Sequence, residues 1–177
     1  CRARHIELIP SLSSFGHMYR ILSTKTCCDL CELPDSEKIP FSYTYAGDHH
    51  TLNVSNPRAV DFIKSLITEY RALFTSKKFN ICCDETFDLG KGRSKALADE
   101  KGEHALYMAH VVELCRWLLA QDVTPMFWGD IMWRHPEAYA EIPEGVICLN
   151  WGYLPEQREN EVRDLAQMGA TQYVCPG

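Results

Sequence analysis

Short apolar runs alternate along the chain with stripes of apolar residues at helical spacing. An apolar run between polar residues is typical of a strand buried on both faces, and recurrence every three or four residues is typical of an amphipathic helix. The runs predict strands at 6–12, 79–83, 123–128, 146–151 and 171–175. The stripes predict helices from 56 to 74, from 100 to 121, at 136–141 and at 155–168.

A long irregular segment, 13–52, separates the first predicted strand from the first predicted helix. Loops of this length inside a compact domain are usually functional or disordered. Asn56 and Pro57 mark where the helix begins, because asparagine is a preferred N-cap and proline is favoured in the first turn. We therefore expect function-related residues in the loop and a well-defined helix after it.

This alternation predicts an α/β fold with a parallel sheet and outer helices. Chemically active residues follow three strands, at 84–85, 128–130 and 150–153. That layout is typical of a (β/α)8 TIM barrel, in which the loops after the strands build the active site. Five strands are too few to close a barrel. We therefore predict a single partial catalytic domain over residues 1–177, an incomplete barrel that lacks about three strands.

Composition excludes several classes of protein. The chain is 46% hydrophobic, carries a net charge of −6 and has a pI near 5.6. A phosphate-backbone binder would show a basic stripe, and a membrane span needs about 20 apolar residues, so we expect neither a nucleic acid nor a membrane partner.

Nine cysteines make an odd count, and several lie inside apolar runs. This favours reduced, buried thiols and a cytoplasmic location over a disulfide framework. Cys27, Cys28 and Cys31, with His49 and His50 downstream, offer ligands for a zinc site. Because the Cys-to-His gap does not fit a zinc finger, a loop of reduced thiols is the preferred interpretation.

The central motif is the pair Asp84-Glu85, directly after an apolar run. Ionised groups at a strand end are costly unless they are paired or solvated, whereas acid–base catalysis needs carboxylates held in a cleft. A strand that simply exits to solvent would also explain the pair. Adjacent residues of a regular strand point to opposite faces, so both acids can face one site only if the strand breaks there.

Aromatic side chains indicate a sugar as the substrate. They cluster after two neighbouring predicted strands, as Trp128, Trp133, Trp151 and Tyr153. Flat aromatic faces at the mouth of a barrel suit the apolar face of a pyranose, and nearby carboxylates suit its hydroxyls.

These motifs resemble those of the family 20 glycoside hydrolases, the β-N-acetylhexosaminidases. The segment 82–85 resembles the Gly-Gly-Asp-Glu strand end of that family, and 10–17, from Pro to Gly-His, resembles its third-strand segment. Trp128-Gly129-Asp130 and Asn150-Trp151 resemble its fifth- and sixth-strand tryptophan motifs. The resemblance covers nearly the whole chain, from about the third to the seventh strand of the barrel.

The chain departs from the family pattern at several positions. Cys82 and Cys83 replace the two glycines, Ser11 and Ser13 replace acidic residues, and Phe15 replaces a proline. The family's first-strand arginine and seventh-strand tyrosine are expected to lie outside the chain. The resemblance therefore indicates a divergent branch.

The resemblance implies substrate-assisted retaining hydrolysis of terminal β-linked N-acetylhexosamine through an oxazolinium intermediate. Glu85 would be the general acid and later the base, and Asp84 would orient the substrate's 2-acetamido group. Substrate contacts would come from four further strand-end residues and a histidine: His17, Trp128, Asp130, Trp151 and Tyr153. His17 is also open to a purely structural role. We expect no cofactor and no metal, and an amino-sugar glycoside as the partner.

Three other functions stay open. A glycosidase on the same scaffold could use Asp130 as an enzyme nucleophile with Glu85 as acid. A metal-dependent hydrolase could use Asp84, Glu85, His17 and a histidine of the pair 49–50. The chain could also be an inert sugar-binding fragment, and its open sheet edges make a homodimer a further hypothesis.

Overall fold

The computed structural model describes residues 1–42, 49–154 and 159–177, except the side chains of Arg2 and Pro136. Four strands form one parallel sheet in the order β1-β2-β3-β4, so every strand pairs with its neighbour in the sequence. The strands are β1 Lys78–Asn80, β2 Thr124–Trp128, β3 Ile147–Gly152 and β4 Thr171–Pro176. Their carboxyl ends meet at one edge of the sheet, where the predicted site residues follow.

Six α-helices accompany the described strands. They are α1 Tyr19–Leu22, α2 Ala59–Arg71, α3 Lys95–Lys101, α4 Glu103–Leu119, α5 Asp130–Arg134 and α6 Glu159–Gln167. The long predicted helices correspond to α2, α4 and α6, and the segment predicted at 136–141 is a 3-10 helix. Residues 155–158 of the last predicted helix lie outside the described residues. The short helices α1, α3 and α5 were not predicted.

The first predicted strand is much shorter than its apolar pattern suggests. It makes one parallel bridge, from Ser11 to Asn80 of β1, framed by hydrogen bonds from Asn80 N to Pro10 O (2.9 Å) and from Leu12 N to Asn80 O (3.0 Å). Pro10 has no N–H to continue the ladder. Ile6 and Leu8, before it, are more than half exposed. The segment nevertheless holds residues 11–17 beside the end of β1.

The hydrophobic core lies between the sheet and helices α2 and α4. Its largest fully buried side chains include Phe15, Phe79, Tyr107, Phe127 and Leu114. At the far edge β4 leaves Tyr173 and Val174 42% and 47% exposed. An edge strand with exposed apolar side chains is the form expected of a barrel wall that does not close. Within the described residues no helix is long and apolar enough to cross a membrane.

A buried histidine attaches the segment 11–17 to helix α4. His110 is nearly inaccessible, and its Nε2 lies 3.0 Å from the carbonyl oxygen of Ser14. Because a carbonyl only accepts, His110 donates this bond from its Nε2–H. Burial lowers the pKa of His110 from 6.5 to about 4. Burial therefore favours the uncharged imidazole, which donates this bond from Nε2.

This burial predicts a loss of stability in acid. The unfolded chain binds a proton at His110 near pH 6.5 and the folded chain only near pH 4, so stability falls as the pH drops through that window, by about 3 kcal/mol at most. His110→Gln keeps an N–H donor but cannot be charged. Urea denaturation gives the free energy of unfolding at pH 7 and at pH 4.5. We expect the difference between these two values to be about 2–3 kcal/mol smaller in the variant than in the unchanged chain.

The matched control is His5→Gln, because His5 is an exposed histidine. It should leave the pH dependence of unfolding as it is in the unchanged chain. Equal pH dependence in the His110→Gln variant and the unchanged chain would contradict the role given to His110.

Candidate active site

The strand that carries the paired acids breaks just before them. After β1, pairing with β2 continues through Ile81 N to Met126 O (2.8 Å) and Trp128 N to Cys82 O (2.9 Å). The backbone then adopts positive φ at Cys82 (60°), Cys83 (65°) and Glu85 (47°). These left-handed conformations end the alternation of side chains between the two faces of the strand. Such a break is what the sequence predicts if both acids are to face one site.

One imidazole contacts both carboxylates. His17 Nε2 lies 3.4 Å from Asp84 Oδ2 and 3.1 Å from Glu85 Oε2. The hydrogen bond with Asp84 is the main cause that raises the pKa of His17 above 6.5. Asp84 and Glu85 are therefore on the same side of the broken strand, and His17 contacts both of them.

Cys82 and Cys83 occupy positions whose φ favours glycine, which explains why two glycines suit the related motif. Their thiols contact serine hydroxyls, Cys82 Sγ to Ser11 Oγ at 3.2 Å and Cys83 Sγ to Ser14 Oγ at 3.3 Å. Burial raises the pKa of both thiols above 9.0. They are neutral packing groups and not nucleophiles, since a reactive cysteine needs a lowered pKa.

A second histidine, which the sequence offered only as a metal ligand, completes the cluster. His49 Nδ1 lies 3.0 Å from His17 Nδ1, and His49 Nε2 lies 2.9 Å from the carbonyl oxygen of Ser42. The ring of Phe41 stacks on His49 with centroids 5.1 Å apart and planes 13° apart. Thirty-two positions separate the two histidines in sequence, and no local motif connects them.

Asp130, the first residue of α5, lies beneath the acids. Its Oδ2 accepts the backbone N–H of Glu85 at 3.1 Å, and the residue is 7% exposed. Burial raises the pKa of Asp130 from 3.8 to about 6. Its Oδ1 is buried and has no hydrogen-bond partner among the described residues. Asp130 thus supports the backbone that carries Glu85.

The predicted aromatic residues surround the acids. Trp151 packs against Trp133, with centroids 5.1 Å apart, and against Tyr153, at 5.2 Å. Tyr153 is largely exposed. One cleft is bounded by all but one of the predicted site residues: His17, Asp84, Glu85, Trp128, Trp151 and Tyr153. Asp130, the exception, borders the adjoining cleft beside Glu85 and Trp151.

The metal-binding alternatives have different outcomes. Among residues 1–42, 49–154 and 159–177, one group of three candidate ligands lies close enough to hold an ion, and it consists of His17, His49 and Glu85. No cysteine belongs to it. All nine cysteines are free thiols, as predicted. The zinc site suggested for the cysteines near position 28 is therefore not assembled in the described part of the chain.

Comparison with known proteins identifies the family. The model described as glycosyl hydrolase family 20, catalytic domain, matches residues 1–177. The chain belongs to this family.

Its curated relatives in the family are remote and longer. Hexosaminidase D of Bos taurus is 25% identical over 157 residues, which is 84% of this chain and 42% of that protein. A lacto-N-biosidase of Bifidobacterium bifidum is 34% identical over 80 residues, 45% of this chain and 6% of that protein. The chain thus spans less than half the length of the curated relatives it matches.

Solved family 20 structures share the fold. A chitobiase of Flavobacterium johnsoniae superposes with a TM-score of 0.75 at 19% identity, over 99% of this chain and 26% of that one. A mutant beta-hexosaminidase of Streptomyces plicatus in complex with GlcNAc superposes with a TM-score of 0.67 at 22% identity, over 99% of this chain and 31% of that one. These likenesses confirm the predicted fold, a (β/α)8 barrel present here as an incomplete barrel.

A close backbone approach at Gly16 yields a prediction for this site. A Cβ at Gly16 would lie 2.2 Å from the carbonyl oxygen of Asp84 and 3.0 Å from that of Glu85. Gly16→Ala must therefore push the segment 11–17 away from the acids. We expect a loss of about 1–3 kcal/mol in the free energy of unfolding, measured by urea denaturation.

Gly169→Ala is the matched control, because a Cβ there meets no atom within 4 Å although φ is +81°. It should cost only backbone strain, roughly 1 kcal/mol. If Gly16→Ala were no more destabilising than Gly169→Ala, the close approach would have no energetic consequence.

Proposed function

We propose that this chain carries the catalytic acids of a β-N-acetylhexosaminidase, which removes terminal β-linked N-acetylhexosamine by substrate-assisted retaining catalysis. The observation that carries the proposal is the pairing of Asp84 and Glu85 on one side of a broken strand, both in contact with His17. Family membership and the aromatic cleft support the same activity.

Glu85 serves as the general acid. Its carboxyl group is about one-third exposed at the cleft and can reach a bound glycosidic oxygen. The proton goes to the leaving-group oxygen as the bond to the anomeric carbon breaks, and Glu85 later accepts a proton from the attacking water. His17, 3.1 Å away, is placed to share a proton with this carboxyl group.

Asp84 serves the substrate rather than the leaving group. The oxygen of the 2-acetamido group attacks the anomeric carbon, and its nitrogen becomes positive in the oxazolinium ion. A carboxylate that accepts the acetamido N–H orients the attacking oxygen and stabilises this charge. Asp84 is more deeply placed than Glu85, with side-chain exposures of 19% and 32%, which suits a group that stays charged throughout.

The remaining predicted contacts follow the walls of the cleft. Trp151 supplies the floor and Trp128 a wall for the pyranose, with Tyr153 at the rim. Asp130 was expected to bind a sugar hydroxyl, and this stays a prediction. Its burial and its bond to Glu85 N argue against the alternative in which Asp130 is the nucleophile, since a nucleophile must reach the anomeric carbon.

Several predictions about the whole protein stand beside this proposal. We expect strands outside the chain to complete the sugar pocket, so the isolated chain is predicted to be weakly active or inert. The single-domain extent, the cytoplasmic location and the homodimer also remain predictions.

Neutralising either acid should strongly reduce the turnover of an aryl N-acetyl-β-glucosaminide. We expect Glu85→Gln and Asp84→Asn each to lower kcat by roughly 100- to 10,000-fold, because one removes the proton donor and the other the stabilising charge. Rates are measured by chromophore release on this chain and on the longest natural polypeptide that contains it. Glu137→Gln, an exposed carboxylate change, is the control and should leave kcat unchanged.

The substrate can separate the two retaining mechanisms. Replacing the N-acetyl group by N-trifluoroacetyl makes the amide oxygen less nucleophilic, so substrate assistance predicts a steep fall in rate. An enzyme nucleophile predicts little change, together with turnover of the aryl glucoside that lacks the amide. Either of these last results would overturn the proposal.

A further inference from the structure

Three side chains at the edge of the cleft have the spacing of metal ligands. One ligand atom each from His17, His49 and Glu85 lies within 4.8 Å of the others. The two histidine Nδ1 atoms lie 3.0 Å apart, and the other nitrogen of His17, Nε2, lies 3.1 Å from Glu85 Oε2. Ligands bound to tetrahedral zinc at 2.0–2.1 Å stand about 3.3 Å apart. One nitrogen of His17 has to face both His49 and Glu85, and because the three ligand atoms lie within 4.8 Å of one another, side-chain rotations can bring them around one ion.

The hydrogen bonding of His49 presents a lone pair to this cluster. The carbonyl oxygen of Ser42 can only accept, so His49 Nε2 carries the proton in that 2.9 Å bond. In the neutral ring, His49 Nδ1 then holds a lone pair directed at His17. Histidines that bind metals characteristically donate their other N–H to a carbonyl or a carboxylate. Stacking on Phe41 restricts the ring further.

The charge around the cluster also favours a cation. Asp84 and Glu85 are adjacent, and both ion pairs that they form in the described part of the chain involve His17. Neither carboxylate pairs with a lysine or an arginine among those residues. A divalent ion would balance the negative charges of both carboxylates. Asp84, whose Oδ2 lies 3.4 Å from His17 Nε2, would be at the margin of the site.

We propose that His17, His49 and Glu85 bind a divalent transition-metal ion of the zinc class, and that the bound ion inhibits the enzyme. Two imidazole nitrogens and one carboxylate oxygen form a set that zinc accepts, with a fourth position for water. The ion occupies the carboxylate that must donate and accept the proton. Binding follows from the cluster alone, whereas inhibition rests on the proposed function.

Cobalt(II) titration tests binding without any activity measurement. Co²⁺ bound by nitrogen and oxygen gives visible d–d bands, whereas binding to the free thiols adds intense near-ultraviolet thiolate charge transfer. We expect d–d bands without the thiolate signal, and competition by Zn²⁺. The affinity should fall roughly 10- to 100-fold or more in His49→Gln and in Glu85→Gln, and stay unchanged in His135→Gln.

Thiolate bands alone, or an affinity for cobalt that is equal in His49→Gln and in the unchanged chain, would overturn the site. With either outcome the two imidazoles would form only a hydrogen-bonded pair. Circular dichroism confirms that each variant is folded, and the nearly isosteric Glu85→Gln removes a second ligand independently.

The proposed inhibition is tested by measuring turnover with and without Zn²⁺ in each variant and comparing the two rates. We expect inhibition that EDTA reverses and that needs about 10-fold more zinc in His49→Gln than in the unchanged protein. Cobalt binding without any turnover by the longest natural polypeptide that contains this chain would refute the hydrolase and retain the site. Turnover that zinc does not inhibit at saturating occupancy would refute the inhibition.

Discussion

The break in the strand after Asn80 is the constraint on which the rest of this site depends. A regular strand would place Asp84 and Glu85 on opposite faces. Left-handed backbone at Cys82, Cys83 and Glu85 removes that alternation, and the β2 pairing continues as far as Cys82. Such conformations cost of order 1–3 kcal/mol each in non-glycine residues. They persist because the surrounding contacts determine the backbone.

Several of those contacts come from the segment 11–17. Its serine hydroxyls contact the two thiols, and the carbonyl of Ser14 accepts a hydrogen bond from buried His110. Gly16 lets the segment lie against the carbonyl oxygens of the acids, where any side chain would collide. His17 then reaches both carboxylates. One short segment thus supports the broken strand and supplies the imidazole that links its acids.

Electrostatics makes the same site receptive to cations. Three carboxylates lie together here, and the imidazole of His17 is the group that contacts two of them. The third, Asp130, is buried deeply enough for its pKa to rise to about 6. A positive oxazolinium ion and a divalent metal ion both relieve such a concentration of negative charge. The proposed catalysis and the proposed inhibition therefore have one physical origin.

The sequence by itself determined the parallel α/β architecture, the strand ends that carry the acids and the aromatic residues near them, because strands buried on both faces leave a strong apolar pattern. It overestimated the length of the first strand, where the missing N–H of Pro10 limits pairing, and it missed the short helices α1, α3 and α5. Only the tertiary structure decided that His49 meets His17 and that Asp130 supports Glu85. Contacts across 32 and 45 positions depend on how separate elements pack, and no local pattern encodes that packing.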